Sequence, residues 1–293
     1  MKDQAERLRE FVNERNAGDA KAERGMNARV IAVASGKGGV GKSNFAANLG
    51  IEMCKHGKRV VIIDADFGLA NIEILMGVAP RHSVSDVLGG RVSMEAALTV
   101  GPMGCSFLSG GSGIAALSEL SDAQLARLTN GFLSLDSMTD CIIIDTRAGL
   151  SNAVINFIVA AEDTIIVTTP DPTAIADAYA LMKAVKKSMP GIGEMSIVVN
   201  CAMSAEEAQD VHLKLSAVSK RFLGIELRLL GVVPYDPYLV RAVRKQRPVS
   251  VLYPSSKCAS SIGEICAVLL SMETSKKGSI QGFVMRLIGR LKS

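Results

Sequence analysis

The sequence has 293 residues, a length that suits one α/β domain or two small ones. Hydrophobic residues make up 48% and charged residues 21%, values typical of a globular protein and not of a disordered one. The net charge of +4 is too small to indicate a nucleic-acid partner by itself. Residues 1–29 lack the apolar run of a signal peptide, and no apolar stretch approaches the roughly 20 residues of a membrane span. We therefore expect a cytoplasmic protein.

The N-terminal segment differs from the rest of the chain. Residues 1–16 form a charged helical pattern, in which Asp3 and Glu6 have the spacing of a capping box. Residues 17–28 show no periodicity and are predicted to be a linker.

From residue 29 onward, short apolar runs alternate with helical patterns. The runs are rich in β-branched residues and lie at 30–35, 59–66, 141–146, 164–170, 196–201 and 229–234. Such runs predict an α/β fold with a doubly wound, mostly parallel sheet that is covered by helices on both faces, over residues 29–272. In sheets of this kind, ligands bind at the carboxyl ends of the strands.

Six cysteines are present, and none belongs to a CxxC pair. Cys54, Cys141, Cys201 and Cys266 lie in apolar segments, which predicts buried free thiols. The spacings give no support to a disulfide framework, a metal site or an iron–sulfur carrier.

A phosphate-binding pattern follows the first predicted strand. Gly36, Gly41, Lys42 and Ser43 satisfy G-x-x-x-x-G-K-[ST] between a strand and a helix, the context that this pattern requires. Glycines let backbone N–H groups turn toward phosphate oxygens, and the helix N-terminus adds positive potential. We expect Lys42 to reach the β- and γ-phosphates and Ser43 to bind Mg²⁺.

Three aspartates end two of the predicted strands. Asp145 is placed to hold the hydration shell of Mg²⁺, as an acidic residue after a buried strand does in such enzymes. We expect Asp66 to position the attacking water and Asp64 to lie in the outer shell of the metal. The alternative for both is that they cap the turns that follow.

The loop also contains a second lysine, and KGGVGKS resembles the deviant Walker A loop of the MinD/ParA family. The resemblance implies that Lys37 reaches across an ATP-bound homodimer to the partner's phosphates, where it acts like an arginine finger. The alternative is a solvated loop lysine. The expected nucleotide-binding residues of the loop are Gly36, Lys37, Gly38, Gly39, Val40, Gly41, Lys42, Ser43 and Asn44.

Two later segments resemble the base-recognition segments of the same family. Asn200 is implied to hydrogen-bond the adenine, and Pro234, Tyr235 and Asp236 to form the wall of its pocket. The alternative for Asn200 is a turn residue at the end of a strand.

Three segments narrow the resemblance to FlhG-type flagellar-number regulators, also called FleN or YlxH. They are DQAERLR at 3–9, DADFGLANIEILMGVAPRHSVSDVL from Asp64, and LSGGSGIAALSELS from Leu108. The resemblance implies that the N-terminal helix stimulates FlhF, a signal-recognition-type GTPase, with Gln4 orienting water. The implied contact residues are Asp3, Gln4, Ala5, Leu8 and Arg9. Further implied partners are a flagellar transcription regulator and switch-complex proteins.

The C-terminal residues, 273–293, contain an amphipathic helical pattern. At 100° per residue, its apolar side chains fall within an arc of about 140°. They are Ile280, Phe283, Val284, Leu287, Ile288 and Leu291. With Arg286 and Arg290 beside this face, the pattern predicts a helix that binds an anionic membrane surface peripherally, on the inner face of the cell membrane. The sequence leaves open whether that surface lies at a cell pole. The alternative is a helix docked on the protein's own core, and both can hold in different states.

One residue departs from the FlhG pattern. After Asp145 the chain reads DTRAGLS, where FlhG-type proteins typically have a glycine at the position of Arg147. We expect Arg147→Gly to change the ATPase rate or the oligomeric state.

Two other functions share parts of this pattern. In a ParA-like DNA-partitioning ATPase, the basic run 241–247 would contact phosphates, but that reading leaves DQAERLR unexplained, and we expect no specific nucleic-acid partner. A MinD-like division-site regulator would share the ATPase and the tail but lack the N-terminal activator.

Overall fold

The computed structural model describes residues 28–66, 71–111, 120–272 and 279–291. Within these ranges, one sheet has the strand order β3-β4-β2-β5-β1-β6-β7-β8. The strands are β1 (Arg29–Ala34), β2 (Val60–Ala65), β3 (Thr99–Val100), β4 (Ser106–Leu108), β5 (Cys141–Thr146), β6 (Asp163–Thr168), β7 (Glu194–Ala202) and β8 (Glu226–Pro234). All neighbouring strands are parallel except β3 and β4. The predicted doubly wound α/β fold is confirmed.

Helices connect the strands and cover both faces of the sheet. They are α1 (Lys42–Lys55), α2 (Ile72–Met76), α3 (Val84–Leu88), α4 (Met94–Ala97), α5 (Asp122–Leu135), α6 (Asn152–Ala160), α7 (Pro172–Ser188), α8 (Ala205–Val218), α9 (Pro237–Arg244), α10 (Val249–Leu252), α11 (Lys257–Ser271) and α12 (Ile280–Leu291). A short 3₁₀ turn (Pro102–Gly104) precedes β4, and a π turn (Ser219–Leu223) follows α8.

Alternating side chains of the central strands build two cores. In β5, Ile143 packs with α1, α2 and α11 on one face, whereas Ile142 and Ile144 pack with α5, α6 and α12 on the other. This alternation is the period of two that a strand imposes, and both faces are apolar because helices cover both. β1 lies between β5 and β6, so the chain reverses direction across the sheet at the carboxyl end of β1. A crevice for ligands is expected there.

Two details of the fold differ from the sequence prediction. β3 and β4 are only two and three residues long, too short for a recognisable alternation, and were not predicted. The prediction that Cys201 is buried was wrong, because the register of β7 against β8 shifts between Asn200 and Ala202 and Cys201 adopts a φ of 57°. This irregularity turns Cys201 to the surface, while Cys141 and Cys266 are buried as expected and Cys54 is half-buried.

Candidate nucleotide site

The phosphate-binding loop lies where the sequence predicts it, between the carboxyl end of β1 and the first residue of α1. Gly41 is the N-cap of α1 with a φ of 86°, and Gly39 has a φ of 81°, so both adopt a conformation that favours glycine. A Cβ added to Gly38 or Gly39 would meet nothing within 4 Å. At these two glycines the loop is therefore not packed against other described residues.

The start of the loop is packed closely against α7. A Cβ added to Gly36 would lie 2.1 Å from the carbonyl oxygen of Asp177. No larger residue fits at position 36 unless the backbone moves, so this glycine allows the contact that fixes the loop against the helix layer.

Lys42 and Asp145 form a buried ion pair at the centre of the site. The ammonium lies 2.5 Å from Oδ1 of Asp145, and their side chains are 8% and 0% exposed. Burial raises the pKa of the Asp145 carboxyl above its ordinary value, and Lys42 opposes that rise. The second oxygen, Oδ2, is buried and has no hydrogen-bond partner among the described residues. An acceptor in this state fits a water or a hydrated cation.

Asp64 is committed to the local backbone. Its carboxylate accepts hydrogen bonds from the N–H groups of Asp66 (3.1 Å), Asn71 (2.9 Å) and Ile72 (3.2 Å). Burial, followed by the nearby charge of Asp145, raises the pKa of Asp64 to about 7. In this structure Asp64 therefore caps the turn that follows β2, which is the alternative that the sequence left open. Its role at the metal stays a prediction.

Asp66 lies directly after β2 and faces Arg147. Nε of Arg147 is 3.9 Å from Oδ1 of Asp66, and the two side chains are 66% and 15% exposed. This distance is that of an ion pair without a direct hydrogen bond. The sequence singled out both residues but did not predict that they would meet.

Lys37 is held within its own protomer. Its ammonium lies 3.0 Å from Oδ2 of Asp171 and also donates to the hydroxyl of Thr173. Asp171 is the N-cap of α7, where it accepts from the N–H of Thr173 at 2.8 Å. Lys37, followed by Thr173, lowers the pKa of Asp171 to about 2. Neither partner was predicted from the sequence, although the polar run TTPDPT after the β6 strand pattern was an available signal.

Asn200 supports the phosphate-binding loop. Its side-chain Nδ2 is buried and donates to the carbonyl of Val40 at 2.8 Å. A Cβ on Gly41 would lie 2.2 Å from the same nitrogen. The strand-end position was predicted, but the contact with the loop was not, and adenine recognition by Asn200 stays a prediction.

The residues of the segment predicted to form the wall of the base pocket have two different environments. Oδ1 of Asp236 caps α9 through the N–H of Tyr238 at 2.8 Å, and Oδ2 accepts from the N–H of Cys258 at 3.0 Å. Both carboxylate oxygens of Asp236 thus accept hydrogen bonds from the protein's own backbone. Tyr235 is 53% exposed and is, with Pro234 at the end of β8, the part of this segment that a base could contact.

The residues present fit a nucleotide with Mg²⁺. The described residues contain no group of three or more His, Cys, Asp and Glu side chains that could enclose a metal. Mg²⁺ does not need such a cage, because it keeps several of its waters. Its remaining ligands are one or two protein oxygens and the oxygens of the substrate phosphates. Ser43, beside the Lys42 ammonium at 3.4 Å, and the free Oδ2 of Asp145 supply oxygens of that kind.

The C-terminal helix, α12, packs on the protein's own core. Ile280, Phe283, Val284, Leu287 and Ile288, which the sequence assigns to a membrane, are each 8% exposed or less. The rings of Phe283 and Phe132 lie 5.3 Å apart. Nε of Arg286 donates to the carbonyl of Ala160 at 2.8 Å, and Arg290 donates to the carbonyl of Ser188. In this state α12 is therefore docked on the protein's own core, which is the alternative that the sequence left open. In the described ranges no helix has the length and hydropathy needed to cross a membrane.

Some predicted features lie outside the described residues. They are the N-terminal helix 1–16 with Asp3, Gln4, Ala5, Leu8 and Arg9, residues 17–27 of the linker, and the side chain of Leu291.

Comparison with known proteins places this site in a family. The ParA family model, described as "NUBPL iron-transfer P-loop NTPase", matches residues 27–270. The solved structure of the septum site-determining protein MinD with Mg-ADP from Pyrococcus horikoshii is similar with a TM-score of 0.66 and 26% identity, over 83% of this chain and 96% of that one. The fold and site thus define a P-loop ATPase of the MinD/ParA class, which binds ATP with Mg²⁺ and hydrolyses it.

Two curated relatives resemble the chain over most of its length. Antiactivator FleN of Pseudomonas aeruginosa is 36% identical over 89% of this chain and 93% of its own. The flagellum site-determining protein YlxH of Helicobacter pylori is 32% identical over 98% of this chain and 99% of its own. The chain belongs to the FlhG/FleN (YlxH) type of the MinD/ParA family.

Proposed function

We propose that this protein is an ATP-dependent dimerising switch that regulates the number or placement of flagella. The observation that carries the proposal is the extent of the match to YlxH, because 98% of 293 residues leaves only about six residues of this chain unmatched. That number is smaller than either the N-terminal segment 1–28 or the tail 273–293, so both terminal segments take part in the similarity. The names of FleN and YlxH describe an antiactivator and a flagellum site-determining protein.

The buried ion pair supports ATP hydrolysis at this site. Bound MgATP supplies the phosphoryl group that is transferred and a metal that neutralises its charge. Lys42 contacts the β- and γ-phosphates, and its dry surroundings strengthen that attraction. Ser43 and Asp145 would hold the metal and its water shell, and Asp66 would orient the attacking water from the end of β2.

The environment of Lys37 supports a role in a dimer. Its side chain is 38% exposed and that of Asp171 is 48% exposed, so water screens their ion pair. Because screened pairs of this kind contribute little free energy, Lys37 can exchange Asp171 for a more negative partner at small cost. In our proposal that partner is the triphosphate bound by a second copy of the chain.

The tail supports a link between dimerisation and location. In the docked state its apolar face is buried, and Arg286 and Arg290 are bound to carbonyl groups. Once released, the same face would lie in the acyl boundary of a membrane and the same cations near anionic headgroups. One such helix is a weak anchor, whereas a dimer presents two and gains avidity.

The N-terminal segment is the part of the chain proposed to bind a partner protein. By resemblance, Gln4 and its neighbours 3–9 bind the GTPase FlhF and stimulate GTP hydrolysis. A peptide of residues 1–20 should accelerate that GTPase, and Gln4→Ala in the peptide should remove the effect. An unchanged rate with the intact peptide would remove this part of the proposal.

The decisive experiment follows mass and membrane binding together. Light scattering after size exclusion should give a monomer with ADP and a dimer with a non-hydrolysable ATP analogue. Only the dimer should sediment with anionic liposomes, and deletion of 278–293 should abolish sedimentation but not dimerisation. Lys37→Ala should abolish both. A monomer with both nucleotides, or a Lys37→Ala variant that dimerises normally, contradicts the switch.

The likeness to MinD favours division-site regulation as a second candidate. Deleting the gene in a flagellated host separates the two functions. Altered flagellar number with normal septum position supports the flagellar function, and misplaced septa with normal flagella support the other.

A further inference from the structure

We propose that Arg147 is a positioning residue for ATP hydrolysis, which orients the carboxylate of Asp66 through their ion pair. This inference rests on the proposed role of Asp66 in orienting the attacking water, and it assigns a function to a residue at which the chain departs from the FlhG pattern.

The sheet brings the two residues together. β2 and β5 are parallel neighbours, with Asp64 opposite Asp145 and Ala65 opposite Thr146. Asp66 and Arg147 come next on their strands, just beyond the last paired residues. Adjacent strands lie about 4.8 Å apart, so the two side chains start side by side at the edge that holds the nucleotide site.

Both backbones are fixed where these side chains leave them. The N–H of Asp66 donates to Oδ1 of Asp64 at 3.1 Å. Before Arg147, the hydroxyl of Thr146 donates to the carbonyl of Val33 at 3.1 Å, and after it the N–H of Gly149 donates to the carbonyl of Ser35 at 2.9 Å. The loop that contains Arg147 is therefore hydrogen-bonded to β1 and to the start of the phosphate-binding loop. These bonds fix the backbone position from which the Arg147 side chain extends.

The balance of charge gives Arg147 its importance. Asp64, Asp66 and Asp145 lie at the ends of β2 and β5, where Asp66 acts on Asp145 as a like charge and Asp145 acts on Asp64 in the same way. The ammonium of Lys42 forms an ion pair with Asp145, and the ammonium of Lys37 forms one with Asp171. Within the part of the chain that the structure describes, Arg147 is the one ion-pair partner of Asp66.

An orienting role follows from these contacts. Without the guanidinium, the carboxylate of Asp66 would have no ion-pair partner among the described residues and would lose its preferred direction. Because Arg147 is 66% exposed and the ion pair is 3.9 Å long, the effect is modest. We expect the loss of the ion pair to lower kcat about two- to fivefold, with the KM for ATP unchanged, since Arg147 acts on the attacking water and not on ATP binding.

The test measures steady-state ATP hydrolysis by the full chain. Arg147→Gln should lower kcat without changing KM, and Arg147→Lys, which keeps the charge, should restore most of the rate. The matched control is Arg91→Gln, because Arg91 is 64% exposed and pairs with Asp86 at 2.8 Å, and neither residue has been assigned to the nucleotide site. This control should hydrolyse ATP at the original rate.

A double-mutant cycle separates the two proposals. Asp66→Asn should reduce kcat strongly, and adding Arg147→Gln to it should have no further effect on the remaining rate. If Asp66→Asn is fully active, the role proposed for Asp66 fails. If Asp66→Asn is inactive but Arg147→Gln keeps the original kcat, or changes KM alone, the role proposed for Arg147 fails and that of Asp66 stands.

Discussion

The ammonium of Lys37 lies 3.0 Å from Oδ2 of Asp171 in the same protomer. The lysine that would reach a partner's nucleotide therefore already has an anionic partner at the start of α7. In the proposed dimer, Lys37 would exchange one contact for the other, so Asp171 would compete with the bound triphosphate for the same cation. The dimerisation equilibrium should depend on both residues.

Weakening this competition should favour the dimer. Asp171→Asn keeps the helix cap, because an asparagine oxygen can accept from the N–H of Thr173, but it removes the charge that attracts Lys37. We expect dimerisation with a non-hydrolysable ATP analogue at about two- to fivefold lower protein concentration, the size of effect that exposed ion pairs give. Analytical ultracentrifugation over a concentration series measures the shift.

A second lysine–aspartate pair provides the control. Lys214 and Asp210 form an exposed pair on α8 that has no part in the proposed dimer contact, so Asp210→Asn should leave the dimerisation constant unchanged. Weaker dimerisation of Asp171→Asn, or equal shifts in both variants, would contradict the competition.

The ion pair of Lys42 and Asp145 should also contribute to stability. Asp145→Asn leaves the buried ammonium of Lys42 without a counter-charge. Because removal of one partner from a buried pair is strongly destabilising, we expect a loss of about 3–5 kcal/mol in the free energy of unfolding, measured by urea denaturation without nucleotide. Asp140→Asn, which breaks the exposed pair with Arg59, should cost no more than about 1 kcal/mol. Similar losses in the two variants would mean that Lys42 finds other compensation.

Local sequence patterns predicted much of the fold and part of the site. The phosphate-binding loop could be predicted because glycines, a lysine and a hydroxyl recur at fixed spacing between a strand and a helix. Asp145 could be placed because a polar residue after an apolar run marks the end of a buried strand. Both signals lie within a few residues of the side chains they concern.

The missed contacts join residues far apart in the sequence. Lys37 meets Asp171, Asn200 meets Val40 and Arg147 meets Asp66 only because the sheet brings the ends of different strands together. The partner of α12 was left open for the same reason. An amphipathic face fits a membrane or a protein core equally well, and only the surface of α5 and α6 decides between them in this state.

Stability should depend on pH through Glu162, which lies below α12. Burial raises the pKa of this carboxyl above its ordinary value of 4.5, and the neighbouring charge of Asp163 adds to the rise. The N–H of Val30 and the charge of Arg286 oppose it, and Arg29 pairs with Asp163 nearby. The folded protein thus retains this proton to higher pH than the unfolded chain does. The resulting stability is present below pH 4.5 and is lost as the pH rises through the folded pKa.

Glu162→Gln isolates this contribution, because glutamine is neutral at every pH in this range. From pH 4.5 upward, the free energy of unfolding of Glu162→Gln should rise relative to that of the original protein. Urea denaturation of both proteins between pH 4 and pH 8 measures the difference, in which the titration of other groups largely cancels. A difference that stays constant with pH, or that changes in the opposite direction, contradicts the assignment.

Docking of the tail can be weakened without altering the tail itself. Phe132 of α5 lies against Phe283 of α12, so Phe132→Ala removes one side of the aromatic contact and leaves the apolar face of α12 intact. Since such pairs contribute about 0.5–1.5 kcal/mol beyond the area they bury, the released population should rise at least two- to tenfold. Anionic liposomes should then sediment more protein even with ADP. Phe107→Ala, a truncation in the core on the other face of the sheet, controls for general destabilisation and should not increase lipid binding. Equal lipid binding by Phe132→Ala and the original protein would mean that docking on α5 does not limit exposure of the tail.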